Sequence, residues 1–232
     1  MPGYRDLTTR VVCAFVTSLF LLHVPLDSSA AGSLEQGTLL SGGITRRYLL
    51  FIPGGTEKDA HPLVIALHGG GGDGKGMIGL TKGRFNELAD ERRFFVVYPD
   101  GVNKGWNDGR EDPSLGSRDT VDDVRFLIDL VHSLARRFPV DTGRVAIAGI
   151  SNGGMMSLRL ACTPAVPARI IAAVAASLPS VDVPLMAGVH HRTLMLFDGT
   201  GDPTRVLIPH MHYMKRRGTG GPCYNQAQGR LP

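Results

Sequence analysis

The chain is poor in cysteine, in aromatic residues and in regularly repeated segments. Its 232 residues include three cysteines and one tryptophan, and 6% are aromatic. No spacing of Cys and His typical of a zinc site occurs, so no metal site is expected. Cys162 and Cys223 could pair in an oxidising compartment, and two free thiols fit the sequence equally well. With no repeat or low-complexity tract and 43% hydrophobic residues, the composition is that of a globular protein.

The net positive charge of the chain comes from its C-terminus, and the rest of the chain is close to neutral. The formal net charge is +4, but five Lys and Arg residues and no acidic residue follow Asp202. Charges within residues 1–31 cancel, so residues 32–202 are slightly acidic. This central part shows no basic face of the kind that nucleic-acid binding needs, and no nucleic-acid partner is expected.

Only one long hydrophobic run occurs, and it lies near the N-terminus. Val11–Leu22 follows Arg5 and Arg10 and precedes the small residues Ser29–Ala31, which is the order of a secretory signal peptide and its cleavage site. The run is short for a bilayer span. We therefore expect residues 1–31 to be removed and the mature chain to be extracellular or periplasmic, without a membrane. An uncleaved anchor is the alternative.

Short apolar segments alternate with helical segments between residues 45 and 197. This alternation predicts an α/β fold with a mostly parallel sheet and helices on both of its faces. In the helix over 120–138, Thr120 and Asp123 have the spacing of N-terminal capping residues. Its predicted core face is Val121, Val124, Ile128, Val131, Ala135 and Phe138. The other predicted elements are strands at 45–53, 63–67, 94–98, 145–148, 170–175 and 193–197, and helices at 85–92 and 152–162.

Gly149–Gly153 fits G-x-S-x-G directly after a buried strand and before a helix. Small residues around Ser151 allow a sharp, strained turn that lifts the hydroxyl above the sheet as a nucleophile. The same turn leaves the N–H of Asn152 at a helix start, where an oxyanion can accept it. The alternative is an ordinary glycine-rich turn.

A second glycine-rich loop, His68–Gly72, follows the strand at 63–67. Without side chains its backbone N–H groups can approach a substrate carbonyl, and we assign the second oxyanion donor to Gly70, with Gly71 as the alternative. His68 is interpreted as structural, its ring fixing the loop. Gly69–Lys75 also matches a phosphate-binding loop, but residue 76 is Gly where Ser or Thr would hold magnesium.

The acid and the base of a serine hydrolase should follow the nucleophile in the order Ser, Asp, His. Asp202 comes after a strand, at the expected edge of the sheet, and Asp198 is a weaker candidate. His210 and His212 follow the acid only a few residues later, so they are weak candidates for the base. His190 and His191 precede the acid and are interpreted as surface residues.

Together these segments resemble the secreted α/β-hydrolases grouped as polyhydroxybutyrate depolymerase-like and feruloyl esterase-like proteins of carbohydrate esterase family 1. The matching segments are Arg47–Tyr48, Ile52–Pro53, LHGGGGDG at 67–74, YPDG at 98–101, Trp106, VDDVRFL at 121–127, GISNGG at 149–154 and GTGDP at 199–203. The resemblance implies a serine esterase without a cofactor. Its substrates would be esters of hydroxy acids or hydroxycinnamic acids, with Ser151 as nucleophile and Asp202 as acid.

The C-terminal segment departs from that family. Family members continue through another helix and strand to a Gly-His turn that carries the catalytic histidine, and residues 204–232 show no such pattern. We therefore expect an α/β-hydrolase domain over 32–203 that lacks its last strand and helix, followed by an irregular basic tail. An impaired or inactive hydrolase that only binds esters is the alternative function.

Overall fold

The computed structural model describes residues 31–56, 59–110, 120–176 and 192–197. None of the helices in these ranges is long and apolar enough to cross a bilayer. The strands are β1 Ser33–Ser41, β2 Ile44–Ile52, β3 His61–Leu67, β4 Phe95–Pro99, β5 Val140–Ile150, β6 Ala168–Val174 and β7 Thr193–Phe197. The helices are α1 Gly74–Leu80, α2 Arg84–Arg92, α3 Asp123–Arg137 and α4 Asn152–Ala161, with a short 3-10 turn at Val102–Lys104.

These strands form one mixed sheet in the order β1-β2-β4-β3-β5-β6-β7. β1 and β2 form an antiparallel hairpin, and β2 pairs antiparallel with β4. The other neighbours, from β4 through β3, β5 and β6 to β7, are parallel. Parallel neighbours require crossover connections, and α1 to α4 lie in the connections between β3 and β6.

Alternate residues of the central strands point to opposite faces of the sheet, and different helices cover each face. On one face Leu63 and Ile65 of β3 join buried residues of α3 and α4. On the other face Ala66 packs with Met77 of α1 and Ala89 of α2. Burial on both faces explains why these strands are continuous apolar runs in the sequence. The predicted fold class, a mostly parallel sheet with helices on both faces, is confirmed.

All six predicted strands are present, whereas β1 and α1 were not anticipated by the sequence pattern. β1 is an edge strand with mostly exposed residues, so it lacks the apolar run that marks a buried strand. α1 has the sequence GKGMIGL, in which three glycines disfavour a helix. Its N-terminus is held by Asp73, whose side chain accepts the Gly76 N–H at 2.7 Å.

The start and the buried face of α3 differ from the prediction. Asp122, not Thr120, caps the helix by accepting the Arg125 N–H at 2.9 Å. The predicted partner of that cap, Asp123, is instead buried and paired with Arg46. Because Asp123 faces the core, the buried face of α3 differs from the apolar face that the sequence predicts. The buried residues of the helix are Asp123, Phe126, Leu127, Leu130, Val131 and Leu134.

The carboxyl ends of β3, β5 and β6 lie side by side at one edge of the sheet. In the register of the parallel pairs, Leu67 is opposite Gly149 and Ile150 is opposite Val174. The segment that follows β3 and the turn that follows β5 are therefore neighbours. This is the edge at which open α/β sheets bind their ligands.

Candidate active site

Ser151 occupies a sharp turn between β5 and α4. Its φ of 52° and ψ of −123° place it in a region that is strained for residues other than glycine. Its N–H donates to the Val174 carbonyl at 2.8 Å, and its carbonyl accepts the Met155 N–H at 2.8 Å. The turn is thereby tied to β6 and to the helix, and the residue itself is exposed. A strained, exposed serine between a strand and a helix has the geometry of a nucleophile elbow.

The glycines on either side of Ser151 are required because neighbouring backbone passes too close for a side chain. A Cβ on Gly149 would overlap the Gly153 carbonyl. A Cβ on Gly153 would overlap the carbonyl of His68, just beyond the end of β3. These obstacles are backbone atoms, so no rotamer change could relieve them. The spacing of the motif thus reflects the close approach of β5, α4 and the end of β3.

The glycine loop after β3 lies against this turn and offers a second N–H donor. A Cβ on Gly70 would lie 3.7 Å from Asn152 Cβ. The Gly71 N–H donates to the Lys104 carbonyl at 2.7 Å, and the Gly72 N–H donates to the Gly69 carbonyl at 3.1 Å. Among the described residues the N–H groups of Gly70 and Asn152 have no acceptor. Of the two alternatives from the sequence, the geometry therefore favours Gly70 over Gly71.

The His68 ring is hydrogen-bonded to the glycine loop, in agreement with the interpretation of His68 as a structural residue. Its Nδ1 is 2.7 Å from the Gly69 carbonyl oxygen, and its Nε2 is 3.0 Å from the Gly101 N–H nitrogen. The second bond needs Nε2 as the acceptor, so the ring is neutral with its proton on Nδ1. The Trp106 indole donates to the His68 carbonyl at 2.9 Å, and the two ring centroids are 4.9 Å apart.

This neutral histidine makes the stability of the fold sensitive to acid. Burial lowers the pKa of His68, opposed by its hydrogen bond to Gly69 and by the Asp100, Asp73 and Asp123 carboxylates. A His whose pKa is lower in the folded than in the unfolded state stabilises the fold above the unfolded value of about 6.5. We expect the free energy of unfolding to decrease as the pH falls below that value, because the unfolded chain binds the proton more readily.

Urea denaturation at pH 7.5 and pH 5, followed by Trp106 fluorescence, measures this decrease. In His68→Gln the difference between the two pH values should shrink. The matched control is His132→Gln, at an exposed position of α3, which should keep the wild-type difference. An unchanged difference in the His68 variant would contradict the assignment.

The phosphate-loop alternative is not supported by the geometry around α1. The Gly74 N–H donates to the Asp100 carboxylate at 2.8 Å, and the Gly76 N–H donates to the Asp73 carboxylate at 2.7 Å. Two carboxylates thus accept the amides that a phosphate-binding loop would present to its ligand. A further phosphate group would meet negative charge at this position.

The acid and base candidates lie outside the described residues. The same holds for the predicted signal peptide and C-terminal tail. Cys162 is buried, but its possible disulfide partner also lies outside these ranges. The predictions concerned are those on Asp198, Asp202, His190, His191, His210, His212 and Cys223.

Residues 101–110, the Trp106 loop, contribute to the site in a way that the sequence pattern does not predict. This loop lies between the glycine loop and α4, and its backbone and side chains form hydrogen bonds to both. A visible signal was the run Trp106-Asn107-Asp108, where the only tryptophan of the chain stands beside two strongly hydrogen-bonding side chains. Asp108 is fully buried, which the polar character of the loop did not suggest.

The sheet, the elbow and the neighbouring glycine loop define an α/β-hydrolase. The feruloyl esterase module from Clostridium thermocellum has a similar structure, with a TM-score of 0.57 at 10% identity over 73% of this chain and 68% of that one. S-formylglutathione hydrolase from Agrobacterium tumefaciens gives a TM-score of 0.56 at 16% identity over 75% and 78%. At these identities the likeness shows the fold alone.

Within this class the chain belongs to the family described as Esterase PHB depolymerase, whose model matches residues 46–190. The resemblance inferred from the motifs is thereby confirmed. The putative esterase NocK of Nocardia uniformis subsp. tsuyamanensis is 35% identical over 140 residues, 60% of this chain and 40% of that protein. Feruloyl esterase B of Neurospora crassa is 30% identical over 101 residues, 44% and 34% of the two chains. The chain therefore spans well under two thirds of the length of these relatives.

Proposed function

We propose that this chain is a secreted serine esterase that hydrolyses carboxylic esters through an acyl-enzyme on Ser151. The N–H groups of Asn152 and Gly70 are the oxyanion donors, and Asp202 is the acid that orients the base. The observation that carries the proposal is the strained, exposed Ser151 beside two N–H groups that have no acceptor among the described residues. Nucleophile and oxyanion donors in one place are what acyl transfer requires.

The reaction proceeds in two steps, acylation of Ser151 and hydrolysis of the acyl-enzyme. In the first step Ser151 Oγ attacks the ester carbonyl, its proton passes to the base, and the alcohol leaves with that proton. In the second step water attacks the acyl-serine, releases the carboxylic acid and returns the proton to Ser151. In each step the carbonyl oxygen becomes negative in the transition state, and the two N–H groups stabilise that charge.

The family and its relatives support a proposal for the substrate class. The family name refers to polyhydroxybutyrate, a polyester of a hydroxy acid, and one relative is named for feruloyl esters. Both are esters whose acyl or alcohol part is a hydroxylated acid. We therefore propose polyhydroxyalkanoate or hydroxycinnamoyl esters as substrates, without a cofactor. The α/β-hydrolase domain spans 32–203, and the N-terminal segment 1–31 directs it out of the cytoplasm.

A fluorophosphonate ester tests the nucleophile directly, since it phosphonylates only activated serines. We expect the intact mass of the wild-type protein to increase by one phosphonyl group, with the modified peptide containing Ser151. Ser157 is a matched internal control: it lies on α4, which follows the Ser151 turn, but it is fully buried, with its Oγ donating to the Gly153 carbonyl at 2.8 Å. It should stay unmodified, and heat-denatured protein should not react.

Equal labelling of Ser151→Ala and the wild type would refute the assignment of the nucleophile. Saturable binding of an aryl ester by a wild type that neither reacts with the probe nor releases product would instead favour the ester-binding alternative.

A further inference from the structure

The Asn152 side chain forms a buried connection between the elbow and the Trp106 loop. Its Oδ1 accepts the Trp106 N–H at 2.8 Å, and its Nδ2 is 3.0 Å from the Trp106 carbonyl oxygen. The same Nδ2 is 2.6 Å from Asp108 Oδ2. With one acceptor bond and two donor bonds, the amide is held in a single orientation. The residue whose N–H is the proposed oxyanion donor is thus fixed through its own side chain.

Asp108 anchors this connection by a charge-assisted hydrogen bond. Its carboxylate is fully buried and is paired with Arg110, whose Nε lies 3.0 Å from both carboxylate oxygens. A buried carboxylate must keep its partners, because an unpaired charge there is costly. The bond to Asn152 is therefore both short and strong. No role in the reaction as described so far uses this buried acid.

The same loop also holds the other side of the proposed oxyanion hole. The Trp106 indole donates to the His68 carbonyl at 2.9 Å, where the glycine loop begins. The Lys104 carbonyl accepts the Gly71 N–H at 2.7 Å, directly after Gly70. The Trp106 loop thus contacts both segments that carry the two donors.

We infer that Asp108 is a positioning residue for ester hydrolysis: through the Asn152 side chain and the Trp106 loop it fixes the separation of the Asn152 and Gly70 N–H donors. This inference rests on the proposed function. The oxyanion forms only in the transition state, so a shift in donor separation lowers kcat and leaves KM nearly unchanged. A misplacement of about 1 Å can cost on the order of 100-fold in rate.

Kinetics on p-nitrophenyl butyrate with two Asp108 variants test this inference. Asp108→Ala should lower kcat by about 10- to 100-fold with KM changed less than about twofold. Asp108→Asn keeps the shape and one acceptor oxygen, so it should retain more activity than Asp108→Ala. The matched control is Asp141→Asn, which removes the charge of a surface Asp–Arg pair with Arg144 (2.6 Å) at the start of β5, the end of that strand opposite to the Ser151 turn. Its kcat should equal the wild-type value.

Trp106 is the only tryptophan, so its fluorescence reports on this loop without any need for turnover. Acrylamide quenching of Trp106 should increase in both Asp108 variants and stay at the wild-type level in Asp141→Asn. If Asp108→Ala does not unfold cooperatively, the near-isosteric Asp108→Asn decides the test. An unchanged kcat in the folded Asp108 variants, or a fall in kcat/KM that comes from KM alone, would overturn the inference. Failure of the proposed function itself is separate, because it appears as equal rates for wild type and Ser151→Ala.

Discussion

Replacing Ser151 with alanine is expected to lower kcat for p-nitrophenyl acetate by about 10³-fold or more. Without the hydroxyl no acyl-enzyme forms, and water must attack the bound ester directly. The Asn152 and Gly70 N–H groups remain in place, so the variant keeps whatever binding and oxyanion stabilisation they provide. A stopped-flow measurement at high enzyme concentration gives both the rate and any burst of p-nitrophenol, which only the acyl-enzyme route produces.

The base is tested in the same experiment, because members of a catalytic triad act as a unit. If His210 or His212 supplies the base, its alanine variant should fall close to the rate of Ser151→Ala. Combining that change with Ser151→Ala should then cost little more. Equal rates and no burst in wild type and Ser151→Ala would show that Ser151 takes no part in hydrolysis.

The parts of the fold that depend on local patterns could be predicted from the sequence. Continuous apolar runs mark β3 and β4 because both faces of these strands are buried. The elbow could be predicted because close backbone contacts require glycine at fixed positions around the serine, and the short G-x-S-x-G motif records those positions. β1 could not be predicted, because an exposed edge strand needs no apolar pattern. Its position in the sheet is determined by pairing with β2.

The parts of the site that depend on distant contacts could not be predicted in this way. The choice of Gly70 over Gly71 rests on the carbonyl of Lys104, more than thirty residues along the chain. The bond between Asp108 and Asn152 joins residues that are 44 positions apart. A polar loop residue gives no sign in the sequence that tertiary packing will bury it. Such residues are found only when the elements around them have been placed.

The pair formed by Arg46 and Asp123 depends on a distant contact, but each of its residues also leaves a local signal in the sequence. Arg46 alternates with Tyr48 and Leu50 on the core face of β2, and Asp123 shares the core face of α3 with Leu127. Each charge therefore interrupts a face that is otherwise apolar. Two opposite charges on two such faces are a signal for a buried ion pair, because either charge alone would be too costly in the core. The structure places Arg46 Nη2 2.7 Å from Asp123 Oδ1.

Removing one member of this pair should therefore be among the most destabilising changes in the fold. Burial raises the pKa of Asp123, and Arg46 opposes that increase, so the carboxylate is costly in the core without its partner. Asp123→Ala leaves the Arg46 guanidinium buried without its carboxylate partner. Among the described residues it keeps the Asp100 carbonyl at 3.1 Å and the Phe126 ring at 3.9 Å, neither of which carries a negative charge. We expect the free energy of unfolding to fall by about 3–5 kcal/mol. Urea denaturation followed by Trp106 fluorescence measures it.

Two controls separate the buried charge from the loss of a contact. Arg46→Met combined with Asp123→Leu removes both charges and should cost less than Asp123→Ala alone, because no uncompensated ion remains. Glu87→Ala breaks the exposed pair with Arg84 on α2 and should cost under about 1 kcal/mol. A double variant less stable than Asp123→Ala would mean that the pair stabilises the fold by its attraction. A loss as small as that of Glu87→Ala would mean that Arg46 finds another partner when Asp123 is removed.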